Sequence, residues 1–142
     1  MPEKETIQRA RRDKREGKAP STQAGEFVRE EIEHIREGKH GARSTKQAIA
    51  IGLSKARRAG VKLAPPENAS AETKEQAKRD TRRAGKKTSR KRPRATFKAL
   101  EKEPHSAASK KALSRQATTA AKKRSKASRS RAAKKAAATR KK

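Results

Sequence analysis

Runs of lysine and arginine are the residues of this sequence best suited to chemistry, and that chemistry is the neutralisation of phosphates. The 142 residues carry 43 Lys and Arg against 15 Asp and Glu, a net charge of +28. Solubility needs a net charge of only about 2 to 8 on a small domain, so the excess indicates a polyanionic partner. We predict that nucleic acid is bound by Arg43, Lys46, Lys55, Arg57, Arg58, Lys62, Arg82, Arg83, Lys86, Lys87, Arg90, Lys91, Arg92, Arg94, Lys110, Lys111, Arg115, Lys122, Lys123, Arg124, Lys134 and Lys135.

The scarcity of aromatic residues favours duplex DNA over single strands. Trp and Tyr are absent, and Phe27 and Phe97 are the only phenylalanines. Proteins that bind single strands or RNA loops stack bases on aromatic side chains, and this chain cannot build such a platform. Double-stranded RNA stays open as an alternative ligand.

Catalysis finds no support among the other reactive residues. His34, His40 and His105 have no nucleophile spaced to pair with them, and no glycine-rich loop has phosphate-binding spacing. Glu31 and His34 have the spacing of a di-iron ligand pair, but such a site needs a second pair on a facing helix. We therefore expect His34 on the surface, no metal site, no cofactor and no enzymatic activity. The absence of cysteine excludes disulfides and thiolate metal sites.

Charge and hydrophobicity divide the chain at Pro65 and Pro66. Residues 1–66 carry a net charge of +7 and residues 67–142 carry +21, and ten of the 13 Leu, Ile, Val and Phe residues precede the prolines. We predict a small helical module at 1–64, a basic linker with a polar helix at 65–94, and a Lys/Ala-rich tail at 95–142.

The first half contains two similar helix-turn units. REGKAPSTQA at 15–24 returns as REGKHGARSTKQA at 36–48, so that Gly17 and Gly38 would end helices while Ser21 and Ser44 would begin the next ones. Apolar residues follow a helical stripe from each serine, and Gly52 would permit close approach. The pattern predicts an all-α fold: either a helical hairpin of 22–37 and 44–59, or a three-helix module in which 3–16 is the third helix.

The tail is predicted to be largely disordered when free and helical only under some conditions. Like charges such as Lys111 and Arg115 repel at i, i+4 by roughly 0.2 to 0.5 kcal/mol. Phosphates would remove that repulsion, so helix formation would be coupled to binding. The polar helix after Ser70 lacks an apolar face and is expected to form only part of the time.

Residues 21–60, STQAGEFVREEIEHIREGKHGARSTKQAIAIGLSKARRAG, resemble a family of small basic bacterial proteins of unknown function, sometimes labelled DNA-binding or plasmid-stabilisation proteins. The tail resembles the Lys/Ala-rich arms of bacterial linker-histone-like proteins. The resemblance implies a bacterial cytoplasmic setting. The N-terminus has no apolar stretch of signal-peptide length, so we expect a soluble protein of the nucleoid, or of the nucleus in a eukaryote, without membrane contact.

These observations favour a non-enzymatic protein that binds and compacts duplex DNA without sequence preference. Two alternatives stay open: an RNA-binding or ribosome-associated protein, and an adaptor whose N-terminal helices bind a protein partner. In the adaptor the acidic residues Glu26, Glu30, Glu33 and Glu37 would form the contact face. The N-terminal helices could also form a homodimer.

Overall fold

Seven α-helices and one short 3-10 turn make up the described part of the chain. The computed structural model describes residues 2–86 and 91–140, and these residues contain no strand, which confirms the predicted all-α class. The helices are α1 (Lys4–Arg15), α2 (Pro20–Arg36), α3 (Thr45–Arg58), α4 (Ala71–Arg82), α5 (Lys91–Glu101), α6 (Lys110–Lys123) and α7 (Lys126–Arg140), and the 3-10 turn is Ser106–Ala108.

The predicted hairpin forms from α2 and α3, which run antiparallel. Ala56 packs in one cluster with Ala24 and Phe27, and Ala48 packs in another with Ile32 and Ile35. The face of α3 that contacts α2 is therefore built from small residues spaced four positions apart in the sequence: Ala48, Gly52 and Ala56. At Gly52 the backbones come so close that an added Cβ would lie 2.6 Å from Val28 Cα.

Two glycine substitutions should therefore change stability in opposite directions. Gly52→Ala forces α2 and α3 apart and should lower the free energy of unfolding by about 1 to 3 kcal/mol. Gly25 lies in α2 with open space around its Cα, so Gly25→Ala should raise it by about 0.5 to 1 kcal/mol. Urea unfolding of the two variants checks this, and a Gly52→Ala protein as stable as wild type would disprove the close contact.

The predicted third helix is also present and covers part of α2. Ala10 is buried with Phe27, and Ile7 packs on the same cluster. Arg9 Nε donates to Glu26 Oε2 at 2.8 Å. The apolar contacts of Ala10 and Ile7 and the ion pair of Arg9 thus help to hold α1 against α2.

The helix boundaries agree with the sequence pattern except at Ser21. Gly17 and Gly38 have φ values of 75° and 79°, as left-handed helix ends require, and Ser44 Oγ accepts the Gln47 amide at 3.2 Å. The prediction that Ser21 caps α2 is wrong. Pro20 occupies the first turn, where its fixed φ suits the helix, so the helix begins before that serine.

The helix α4 packs on the rest of the protein through contacts that its polar sequence did not indicate. Ala77 is 2% exposed and Asp80 is fully buried, and Arg58 Nε on α3 donates to Asp80 Oδ1 at 3.0 Å. The expectation of a helix without an anchoring face is corrected by this arrangement, because one buried alanine and an ion pair between the half-exposed Arg58 and the buried Asp80 replace the missing apolar stripe. Ser70 Oγ accepts the Thr73 amide at 3.2 Å and so caps the start of the helix.

The predicted disorder of the tail is not confirmed, since α5, α6 and α7 are regular helices. Residues 100–108 dock on the N-terminal module through the backbone. Gly41 N donates to Leu100 O at 2.8 Å and Ala42 N donates to Pro104 O at 3.0 Å. A Cβ at Gly41 would lie 1.8 Å from Glu103 O, so only glycine permits this contact.

Side chains of the module complete the docking of that segment. Thr45 Oγ1 donates to Ala107 O at 2.6 Å, and Arg36 Nε donates to Ala108 O at 2.8 Å. Ala107 and Ala108 are buried in the cluster that contains Ile32 and Ile35. The packed unit therefore includes residues far beyond the predicted boundary at residue 64.

Candidate nucleic-acid interface

α6 presents one apolar and one cationic face. Leu113 packs on the core cluster of α2 and α3. Because successive residues turn by about 100°, Lys111, Arg115 and Lys122 lie on the side opposite Leu113, and all three are exposed. These cations extend over roughly 16 Å of helix axis at 1.5 Å per residue, and one DNA strand carries a phosphate about every 3.4 Å. The cationic face of α6 can therefore follow a phosphate backbone.

α7 carries cations on all sides. None of its residues is buried, and it lacks an acidic residue altogether. Lys134 and Lys135 belong to the runs predicted from the sequence. The other four cations of the helix were not predicted as binding residues, because they lie outside those runs. Their spacing within one helical segment could have identified them. They are Lys126, Arg129, Arg131 and Arg140.

A groove between the start of α3 and α6 brings two predicted cations together. Its lining includes Lys46, Arg115, Ser44, Gln116 and Thr119. The start of a helix presents free amide groups and a positive dipole end. The groove thus combines two long cationic side chains with donors that suit a phosphate oxygen.

Three of the predicted binding residues are engaged in contacts with other residues of the chain instead, although Arg58 is still 42% exposed. Lys55 Nζ forms an ion pair with Glu31, Arg57 is 7% exposed and its Nε donates to Leu63 O at 2.9 Å, and Arg58 holds Asp80 on α4. Their charges stabilise the fold, so the interface is built from the other cations.

Most of those other cations are on the surface. Arg43 has a side chain that is 82% exposed, with its Nε 3.9 Å from Glu103, and Arg124 donates to Ser128 Oγ at 3.0 Å. Lys87 and Arg90, together with the side chains of Lys91 and Arg92, lie outside the described residues. Arg83 is half-buried, and the remaining members are exposed: Lys62, Arg82, Lys86, Arg94, Lys110, Lys123, Lys134 and Lys135.

The acidic face proposed for an adaptor is largely occupied within the protein. Glu30 is 2% exposed and accepts the Glu3 amide at 2.6 Å, while Glu26 is bound by Arg9. Glu33 and Glu37 lie on the surface in ion pairs with Arg29 and Lys39 respectively. The α1 helix therefore covers much of the face that the adaptor would need.

His34 is not the surface residue predicted from the sequence. Its side chain is only 15% exposed, and its Nε2 lies 3.0 Å from Glu3 Oε1. That hydrogen bond is the main reason why the pKa of Glu3 is below its usual value. His40 is 4% exposed, and no sequence signal indicated its burial.

The described part of the chain defines a strongly basic all-α protein, and none of its helices is long and apolar enough to span a membrane. Residues 3–67, which contain α1, α2 and α3, match the model of a family described as a family of unknown function (DUF6496). Neither a curated protein nor a solved structure matches the chain.

Proposed function

We propose that this protein binds duplex DNA without sequence preference, by neutralising backbone phosphates with the cations of α6 and α7 and of the groove beside α3. The function is non-enzymatic and would compact DNA as nucleoid proteins do. This proposal depends mainly on the uneven distribution of charge along the chain. From Pro104 to Arg140 there are 12 Lys and Arg and not one acidic residue.

The ion pairs of the described residues support this proposal. They involve residues from Glu3 to Glu103, and beyond Glu103 the described residues form none. Cations in the first part of the chain offset nearby carboxylates, whereas those of α6 and α7 face solvent with their full charge. Such a field attracts a polyanion from a distance and at any sequence.

The aromatic residues support a duplex over a single strand. Phe27 is 1% exposed in the core. Phe97 is 43% exposed, but its ring lies edge-on to His40 with centroids 5.9 Å apart. A row of stacked bases needs several exposed rings, which the described residues do not provide.

A competition experiment tests the proposed ligand. A labelled duplex bound to the full chain is displaced with an unlabelled duplex of the same sequence, an unrelated duplex, or folded ribosomal RNA, at a salt concentration of about 0.15 M. The two duplexes should compete equally and the RNA less effectively per phosphate. Stronger competition by the RNA would replace the proposal with the RNA-associated alternative.

A paired substitution in the groove tests its contribution. Lys46→Gln with Arg115→Gln should reduce the salt slope of DNA binding by about 2, because each phosphate contact contributes about 0.9. The matched control, Lys46→Arg with Arg115→Lys, keeps both charges and should keep the slope. An unchanged slope in the glutamine variant would remove the groove from the interface.

A further inference from the structure

The interior of the module contains a cluster of acids and histidines that DNA binding does not use. Glu31 on α2 is fully buried, and His40 in the loop after α2 is 4% exposed. His34 lies one helical turn after Glu31. One carboxylate oxygen of Glu31 and one ring nitrogen from each histidine all lie within 4.8 Å of one another.

One oxygen of this cluster is buried without a hydrogen bond. Glu31 Oε1 is paired with Lys55, whereas Oε2 has no hydrogen-bond partner. A carboxylate oxygen removed from water in this way costs considerable free energy unless a cation compensates it. The oxygen points toward His40, whose Nε2 is 3.2 Å away without forming a hydrogen bond to it.

The hydrogen bond on the other side of the His40 ring indicates what its Nε2 can offer to Glu31. His40 Nδ1 lies 3.0 Å from Gly41 O, and a carbonyl oxygen can only accept, so Nδ1 carries the proton. In the neutral ring Nε2 then presents a lone pair to the lone pair of Glu31 Oε2. Two acceptors at this distance repel unless a proton or a metal ion lies between them. Histidines that bind metals typically donate their other ring N–H to a backbone carbonyl in this way.

His34 provides the third ligand and a route to solvent. Its ring is edge-on to that of His40, with centroids 6.1 Å apart and planes at 83°. On its outer side Glu3, whose side chain is 50% exposed, forms a second group with Glu30 and His34. Glu30 Oε2 is buried without a partner as well. Two further carboxylates thus adjoin the cluster.

The donor set selects the class of ion. Two imidazoles and a carboxylate suit Zn²⁺ and neighbouring transition metals, whereas Mg²⁺ and Ca²⁺ prefer oxygen alone. Zinc bonds of about 2.0 to 2.2 Å in a tetrahedral site place donor atoms roughly 3.5 Å apart. The three donor atoms lie within 4.8 Å of one another, so shifts of the side chains by about 1 Å would bring them to that separation.

We propose that Glu31, His34 and His40 bind one divalent transition-metal ion of the Zn²⁺ class, with the fourth position open to water. The ion would join α2 to the loop that leads into α3. This replaces the expectation of no metal site, which considered only helix-to-helix ligand pairs. The site is independent of the DNA interface, so either proposal can fail alone.

Titration of the full chain with Zn²⁺ and Co²⁺ tests the site. We expect one equivalent of either ion to bind, with visible Co²⁺ bands, and Mg²⁺ not to compete. His40→Gln should weaken Zn²⁺ binding at least about 100-fold, since even loss of an outer partner of a ligand costs about 10- to 100-fold. His105→Gln is the matched control, because His105 is exposed and outside the cluster, and it should bind as wild type does.

A measurement on the unmutated protein guards against a misfolded variant. Zn²⁺ should shift the imidazole nitrogen signals of His34 and His40 in NMR spectra and leave those of His105 unchanged. Absence of a stoichiometric Zn²⁺ complex, a shift at His105 alone, or wild-type affinity in a folded His40→Gln protein would overturn the proposal.

Discussion

Replacement of the cations at 110–124 by glutamine is expected to weaken duplex DNA binding at least about 10²-fold at about 0.15 M salt. Each phosphate contact contributes about 0.9 to the slope of log affinity against log salt, so loss of six contacts should reduce the slope by about 5. The free energy of binding comes largely from salt cations that leave the DNA when lysine and arginine side chains neutralise its phosphates. The substituted residues are Lys110, Lys111, Arg115, Lys122, Lys123 and Arg124.

The control for this variant keeps the charges and changes the side chains. Arginine at the four lysines of the set should leave the slope unchanged, because the phosphate contacts persist. Circular dichroism verifies that α6 is still helical, as glutamine is a good helix former. Wild-type affinity in a helical glutamine variant would place the DNA contacts elsewhere.

Lys55→Met is expected to lower the free energy of unfolding by about 3 kcal/mol. Lys55 is 23% exposed and its partner Glu31 is fully buried, so the substitution leaves a carboxylate in the interior without its cation. We expect a loss at the low end of the range for a broken buried ion pair, because solvent reaches Lys55. Urea unfolding at neutral pH, in a buffer that contains a chelator, measures the loss.

Two matched variants separate lost charge from a general effect of substitution on α3. Lys46→Met removes an exposed charge from the same helix and should change stability by no more than about 0.5 kcal/mol. Lys55→Arg keeps the cation and should retain most of the stability. Equal stability of Lys55→Met and Lys46→Met would show that Glu31 does not depend on Lys55.

The hairpin could be predicted because its signals are local. Glycine at 17 and 38, serine at 44 and an apolar stripe from Ala24 to Ile35 each act within a few residues. These features predicted α1, α2 and α3 with boundaries close to those observed. Ser21 failed as a cap because the neighbouring Pro20 imposed an earlier start.

The docking of residues 100–108 could not be predicted from the sequence, since its contacts are not marked by large apolar side chains. The backbone carbonyls of Leu100 and Pro104 accept from the amides of Gly41 and Ala42 respectively, and buried alanines fill the remaining space. The contacts that hold α4 in place could not be predicted for the same reason, since they also lack large apolar side chains. In both segments small residues and single polar contacts take the place of a hydrophobic stripe.

The candidate interface was predictable from charge, but the pairing of individual cations was not. Lys55, Arg57 and Arg58 are part of the same basic pattern as Lys46, yet Lys55 and Arg58 pair with carboxylates 24 and 22 residues away. Arg57 donates to a carbonyl in the loop that follows its own helix. The cluster around Glu31 was missed because His40 lies in a loop, where no helical spacing relates it to His34. Only the folded chain brings these groups together.

The most direct test of DNA binding is the affinity of the full chain for two unrelated duplexes over a range of salt concentrations. If about ten phosphates are contacted, log affinity should fall against log salt with a slope near −9, and the two duplexes should give the same line. Affinities that differ by more than about tenfold between the duplexes, or a slope shallower than about −3, would contradict backbone neutralisation as the function of this protein.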